Sequence, residues 1–232
     1  GLLVIGFLVF QLGRVGWKEV LSSLPRNPWF YVLFLLLYVN LPLTEAVIYG
    51  HILKMPFRKL IGALFKKRVY NKDLLDYAGE VAFFGWVDRE TSRPRMEILH
   101  MLKDSAIISA LASILYAVSF LAVAISTGWI NLPEGVLEGR GLQIALIATG
   151  LAIVIAVGAR FRKSVFFRPP RVLAAIGGAH FVRLALVSAI QVLQWWIVLP
   201  EIALADLITI HALQVVAVRI PLLPSRDLLV VG

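Results

Sequence analysis

Asp73, Asp76, Tyr77, Gly79 and Glu80, running into Asp88 and Arg89, set carboxylates at the edge and in the middle of the apolar stretch Leu74 to Val87. An ionisable group at membrane depth is costly, so it calls for a partner or a task. Gly79 allows a close backbone approach. Glu80 can pair with Arg183, bind a lipid amine or accept a proton. An ion pair that simply locks a hairpin into a helical bundle uses the same residues equally well.

The remaining polar groups carry weaker signals. Gln191 and Gln194 lie at i, i+3, and His211 and Gln214 repeat that spacing further on. Hydrogen bonds between those two helices account for them more simply than a substrate path. His211 can titrate near neutral pH, but alone it does not make a proton relay. His180 and Arg183 fall at a helix end, where snorkelling suffices. Ser105, Ser109 and Ala112, with Ala106, Ala110 and Ser113, set small residues at helical spacing, which predicts tight helix contact. Gly177-Gly178 predicts the same.

Histidines 51, 100, 180 and 211 have no metal-ligand spacing, and cysteine is absent. Thiolate sites, disulfides and cysteine nucleophiles are therefore excluded. There is no GxSxG and no glycine-rich phosphate loop. These residues call for no catalytic group, metal or cofactor.

The elements that must position Glu80 follow from composition. Of 232 residues 59% are hydrophobic and 16% charged, too apolar a balance for a soluble domain. A net charge of +9 then reads as basic loops facing anionic lipid rather than as a nucleic-acid surface. Spanning helices need about 20 apolar residues. On that measure spans are predicted at about 1–12, 28–50 with a kink at Pro42, 105–126, 141–159, 184–200 and 202–218. Residues 1 and 232 fall inside apolar runs, so the chain reads as a fragment of a longer protein.

Loop 51–73 carries Lys54, Arg58, Lys59, Lys66, Lys67, Arg68 and Lys72, and loop 160–171 carries Arg160, Arg162, Lys163, Arg168 and Arg171. Such loops stay cytoplasmic, which puts 51–104 and 160–183 inside and 127–140 and residue 201 outside. The stretch 74–87 must then leave and return on one side, and it is also short for a crossing. It is predicted to be a re-entrant or half-buried segment lining a cavity. Phe57, Leu60, Ile61, Leu64 and Phe65 form one apolar helical face ringed by Lys and Arg, which predicts an interfacial helix over 54–70. Trp17 to Leu24 is a shorter amphipathic piece.

Two stretches, Leu75-Asp76-Tyr77-Ala78-Gly79-Glu80 after the amphipathic helix and Arg219-Ile220-Pro221-Leu222-Leu223-Pro224-Ser225-Arg226-Asp227, resemble the transmembrane region of lysylphosphatidylglycerol synthases and related flippase-like membrane proteins. The resemblance covers most of the chain in element order, with short motifs. It implies an all-α polytopic membrane bundle whose two re-entrant segments, 74–87 and 221–232, enclose a lipid cavity. Gly79 and Glu80 match the first motif; Pro221 and Pro224 match the second. Ser225-Arg226-Asp227 replaces the family's Gly-Gly pair, and Tyr77-Ala78 replaces an arginine common before Gly-Glu.

The resulting expectation is a protein of the bacterial inner membrane that binds, and translocates or presents, a phospholipid or isoprenoid-linked lipid. The lipid-binding residues are Glu80, Gly79, Asp76, Arg183, Pro221 and Pro224. Its partners are membrane lipids, with a larger membrane complex or a homo-oligomer as protein partners, and no nucleic acid. Two other readings stay open: a non-catalytic accessory subunit, and the membrane half of a lipid-modifying transferase.

Overall fold

The computed structural model describes residues 13, 16–73, 77–129, 150, 160 and 165–217. The predicted spans 1–12 and 141–159, the segment 221–232 with Pro221 and Pro224, and Asp76 lie outside the described residues, apart from position 150. Among these described residues seven helices follow in order: α1 (Trp17–Ser22), α2 (Pro28–Leu53), α3 (Phe57–Asp73), α4 (Ala78–Glu90), α5 (Arg95–Ser126), α6 (Pro170–Val198) and α7 (Leu204–Ala217). The described fold is all-α. Helices α2, α5 and α6, of 26, 32 and 29 residues, are long and apolar enough to cross a membrane. At 1.5 Å rise per residue each exceeds a hydrocarbon core of about 30 Å.

Local chemistry sets the boundaries. The Asn27 side chain accepts from Trp29 N at 3.0 Å, and Pro28 occupies the first turn of α2, where a missing N–H costs nothing. Helix α2 runs unbroken through Pro42 and stops at Lys54, whose φ of 57° is left-handed. Pro56 then blocks continuation. Tyr77, also left-handed at φ 70°, opens α4. Thr91 closes α4 by donating its hydroxyl to Val87 O at 2.9 Å. Pro94 and Pro169-Pro170 start α5 and α6.

Ties at both ends orient the long helices. At one end the Arg93 guanidinium reaches Ile52 O at 3.4 Å. Near that end Asp104, fully buried, accepts from the backbone N–H groups of Phe167 and Arg168, both at 3.0 Å. The C-terminus of α2 and the N-termini of α5 and α6 therefore share one end. Lys54, Arg58, Lys59, Arg93, Arg95, Lys103, Arg168 and Arg171 concentrate there. At the other end Gln194 Nε2 donates to Phe30 O at 3.2 Å, and the Thr209 hydroxyl donates to Trp129 O at 2.7 Å.

Three expectations change. The apolar stripe of α3 does not lie on a headgroup surface: Leu60 and Leu64 are sealed in a core with Tyr49, Phe83, Val87, Ile98 and Met101. Phe57 stays exposed, but burial against protein is available because α2 and α4 flank the stripe. Helix α6 begins at Pro170 rather than at 184, so His180 lies inside the helix and is buried in the bundle instead of sitting at the helix end. Gln194 ties α6 to α2 rather than to α7, and Gln191 Nε2 donates to Gln194 within α6 at 3.2 Å.

Trp29, Phe34, Leu35 and Val47 on α2, Ile114 and Val123 on α5, and Leu186 and Leu193 on α6 face outward. A continuous apolar exterior of this kind is unfavourable in water and natural against lipid tails.

Candidate functional site: a charged cavity between the apolar helices

A polar cavity of about 310 Å³ opens where five helices meet. Helix α2 contributes Leu41, Glu45 and Tyr49, and α3 contributes Lys67, Arg68 and Asn71. Tyr77 and Glu80 come from the start of α4. Helix α5 lines it with Leu102 and the small-residue face Ser105, Ala106, Ser109, Ala110 and Ser113, and α6 adds His180 and Arg183.

Lys67 is the hub. Its ammonium donates to Glu45 Oε1 at 2.6 Å and lies 3.5 Å from Glu80 Oε1. It also sits 5.6 Å from the Tyr49 ring centroid and 5.8 Å from that of Phe83. The Lys67 and Glu45 side chains are 6% and 12% exposed, against 29% for Glu80. Removing an ammonium from water disfavours its charge, but two carboxylates and the Tyr49 oxygen outweigh that, and the Lys67 pKa stands above its ordinary value. Arg68 stacks 4.7 Å over Tyr38, and burial lowers its pKa.

Gly79 explains how Glu80 gets there. Its N–H donates to Asn71 Oδ1 at 2.6 Å. A Cβ at that position would overlap the Lys67 carbonyl oxygen and lie 2.6 Å from Asn71 Oδ1. Only a glycine lets the first turn of α4 press this closely on α3, and the next residue then delivers its carboxylate to Lys67. The expected close approach at Gly79 is thus present.

Glu80 and Arg183 line one cavity, and Glu80 lies 3.5 Å from the Lys67 ammonium. The small residues of α5 are divided. Ala112 packs inward and Ser105, buried, meets Tyr49 of α2, while Ser109 and Ser113 line the cavity. The close packing expected at Gly177-Gly178 is not required there, since a Cβ on Gly177 would stand 3.4 Å from Ile108, an ordinary contact, and one on Gly178 would meet nothing within 4 Å. His180, 1% exposed, does not snorkel; it borders the cavity, and neither ring nitrogen has a hydrogen-bond partner among the described residues.

Glu45 and Lys67 escaped the sequence reading. Glu45 is the only carboxylate in the 26 residues of α2, and a lone acid in an apolar span is itself a signal. Lys67 was hidden among the basic residues that set topology.

The side chains around the cavity have definite chemistry. Among the described residues Lys67, Arg68 and Arg183 bring positive charge to the lining, and Glu45 and Glu80 bring negative charge. Serine hydroxyls and the His180 imidazole offer neutral donors and acceptors. No group of three or more His, Asp or Glu that could hold a metal ion occurs among the described residues. Comparisons of this chain with family models, curated proteins and solved structures find no match.

Proposed function

We propose that this protein resides in the bacterial inner membrane, where it binds a lipid and translocates or presents it between the leaflets. One observation carries the reading: among the described residues, a cavity with five charged side chains is walled in part by the three helices apolar enough to span a bilayer. Isolated charge at such depth is penalised, and a headgroup needs such a polar refuge while its tails remain in hydrocarbon.

In this reading α3 and α4 form a re-entrant hairpin. Tyr77, at the start of α4, lines the same cavity as Leu41, which lies about 18 Å along α2 from Leu53 at 1.5 Å per residue. That depth, with Arg58 and Arg95 flanking the hairpin at the basic end, supports entry and return on one side. The Gly79-Glu80 geometry is in keeping with the resemblance to the flippase-like family. The headgroup enters beside Glu80 and Arg183, and displacement of Lys67 from Glu80 makes room for it.

The test is lipid scrambling in liposomes. Glu80→Ala is expected to fall to the protein-free rate while eluting as the folded protein does. Wild-type rates in that folded variant overturn the assignment. The self-compensating Lys67–Glu45–Glu80 network favours a second reading, an accessory subunit that uses the triad for packing alone. Co-purification with a partner complex in fixed stoichiometry, together with no lipid movement, supports that alternative.

A further inference from the structure

A second, apolar groove of about 570 Å³ runs between α5, α6 and α7, where Tyr116, Phe120, Trp129, Val192, Trp196 and Ile208 line it. Its relation to the charged cavity is set by α5. Ser105, Ser109 and Ser113 line the cavity, and Tyr116 and Phe120 line the groove. Those spacings keep all five on one helical face, a track of about 22 Å at 1.5 Å per residue. On α6, His180 borders the cavity and Ser188, eight residues further along the same face, borders the groove. Along α5 the wall passes from hydroxylic to hydrocarbon within about one turn.

A surface of that pattern fits a molecule that is polar at one end and hydrocarbon at the other. We infer that the cavity and the groove are two parts of one amphiphile site, with one hydrocarbon chain of the lipid lying along the groove. This rests on the lipid reading above and adds an orientation. Along α5 and α6 the groove lies beyond the cavity, toward Trp129 and Trp196 and away from the basic ends of those helices. A lipid so held has its head toward the Lys/Arg-rich side, as in the leaflet on that side, so loading occurs from that leaflet. Among the described lining residues cations outnumber carboxylates, which favours an anionic headgroup.

Trp196 lines the groove, and Trp29, 63% exposed at the far end of α2, samples ordinary surrounding lipid. The experiment reconstitutes the full chain in phosphatidylcholine vesicles containing a minor fraction of lipid with brominated chains, either phosphatidylglycerol or phosphatidylcholine. Trp196→Phe and Trp29→Phe assign the quenching by difference. The expected result is quenching at Trp196 several-fold stronger with the brominated anionic lipid than with the zwitterionic one. Trp29 should show little headgroup preference. Arg183→Gln should remove the excess at Trp196 and leave Trp29 unchanged.

Equal quenching at Trp196 and Trp29 by both lipids means surrounding bilayer only and overturns the inference, as does headgroup-independent quenching confined to Trp196. An unquenched Trp196 means that another part of the protein fills the groove, which also overturns it. Retention of labelled phosphatidylglycerol on the purified protein, measured alongside, separates the two claims. Retention with Trp196 unquenched removes the groove and keeps the lipid reading, whereas failure of both removes both.

Discussion

Lys67 Nζ lies 2.6 Å from Glu45 Oε1, joining α3 to the middle of an apolar helix 22 residues earlier in the chain. The pair is nearly out of solvent, and Glu80 approaches the same ammonium at 3.5 Å. Removing one partner of a buried pair leaves an uncompensated charge, which costs about 3–5 kcal/mol. Lys67→Met should therefore lower stability by about that amount in a denaturation series in detergent. Adding Glu45→Leu should recover most of the loss. A double variant as unstable as the single one would show that packing, not charge, holds the site.

Gly79→Ala should destabilise the α3–α4 hairpin, because the new methyl group meets the Lys67 carbonyl oxygen, a backbone atom that cannot swing aside. Overpacking of this kind costs about 1–3 kcal/mol. Gly85→Ala is the control, since a Cβ there meets open space, and it should be neutral or slightly stabilising. Equal unfolding midpoints for the two variants would refute the close-approach argument.

Asp104 anchors the segment leading into α6 through Phe167 N and Arg168 N. Hydrogen bonds to a charged acceptor contribute about 1.5–3 kcal/mol each. Asp104→Ala should loosen that joint, seen as faster amide exchange at residues 167–173 than at 188–194. Unchanged exchange at both places contradicts the anchor.

The Lys67 pKa is raised in the folded protein, and the sign follows directly. A raised cationic pKa stabilises the fold fully below the ordinary lysine value of 10.5, with the contribution lost only as pH climbs through the folded value. Lys67→Met should thus carry the same stability deficit at pH 6 and at pH 9. A deficit that shrinks across that window would mean that Lys67 titrates low.

Much of this was legible in the sequence, for physical reasons. Apolar runs beyond the bilayer thickness gave α2 and α5, and Gly79 beside Glu80 marked the closest backbone contact at the site. The start of α6 was not legible, because His180 and Arg183 read as the polar end of a helix until a cavity exists to hold them. The α3 stripe was visible, yet an apolar stripe ringed by lysines is the same pattern whether lipid or protein covers it. Pairing of Lys67 with Glu45 depends on how α3 folds back on α2, and local spacing does not encode that.

The account depends most on the chain entering and leaving the hairpin on one side of the membrane. The sequence has no cysteine, so single cysteines at the exposed positions Arg58, Arg95 and Asn27 can be tested against an impermeant maleimide in sealed, oriented vesicles. Arg58→Cys and Arg95→Cys should label from the same face and Asn27→Cys from the other. Arg58→Cys and Arg95→Cys labelling from opposite faces would make α3–α4 a crossing and remove the cavity from the place the proposed function requires.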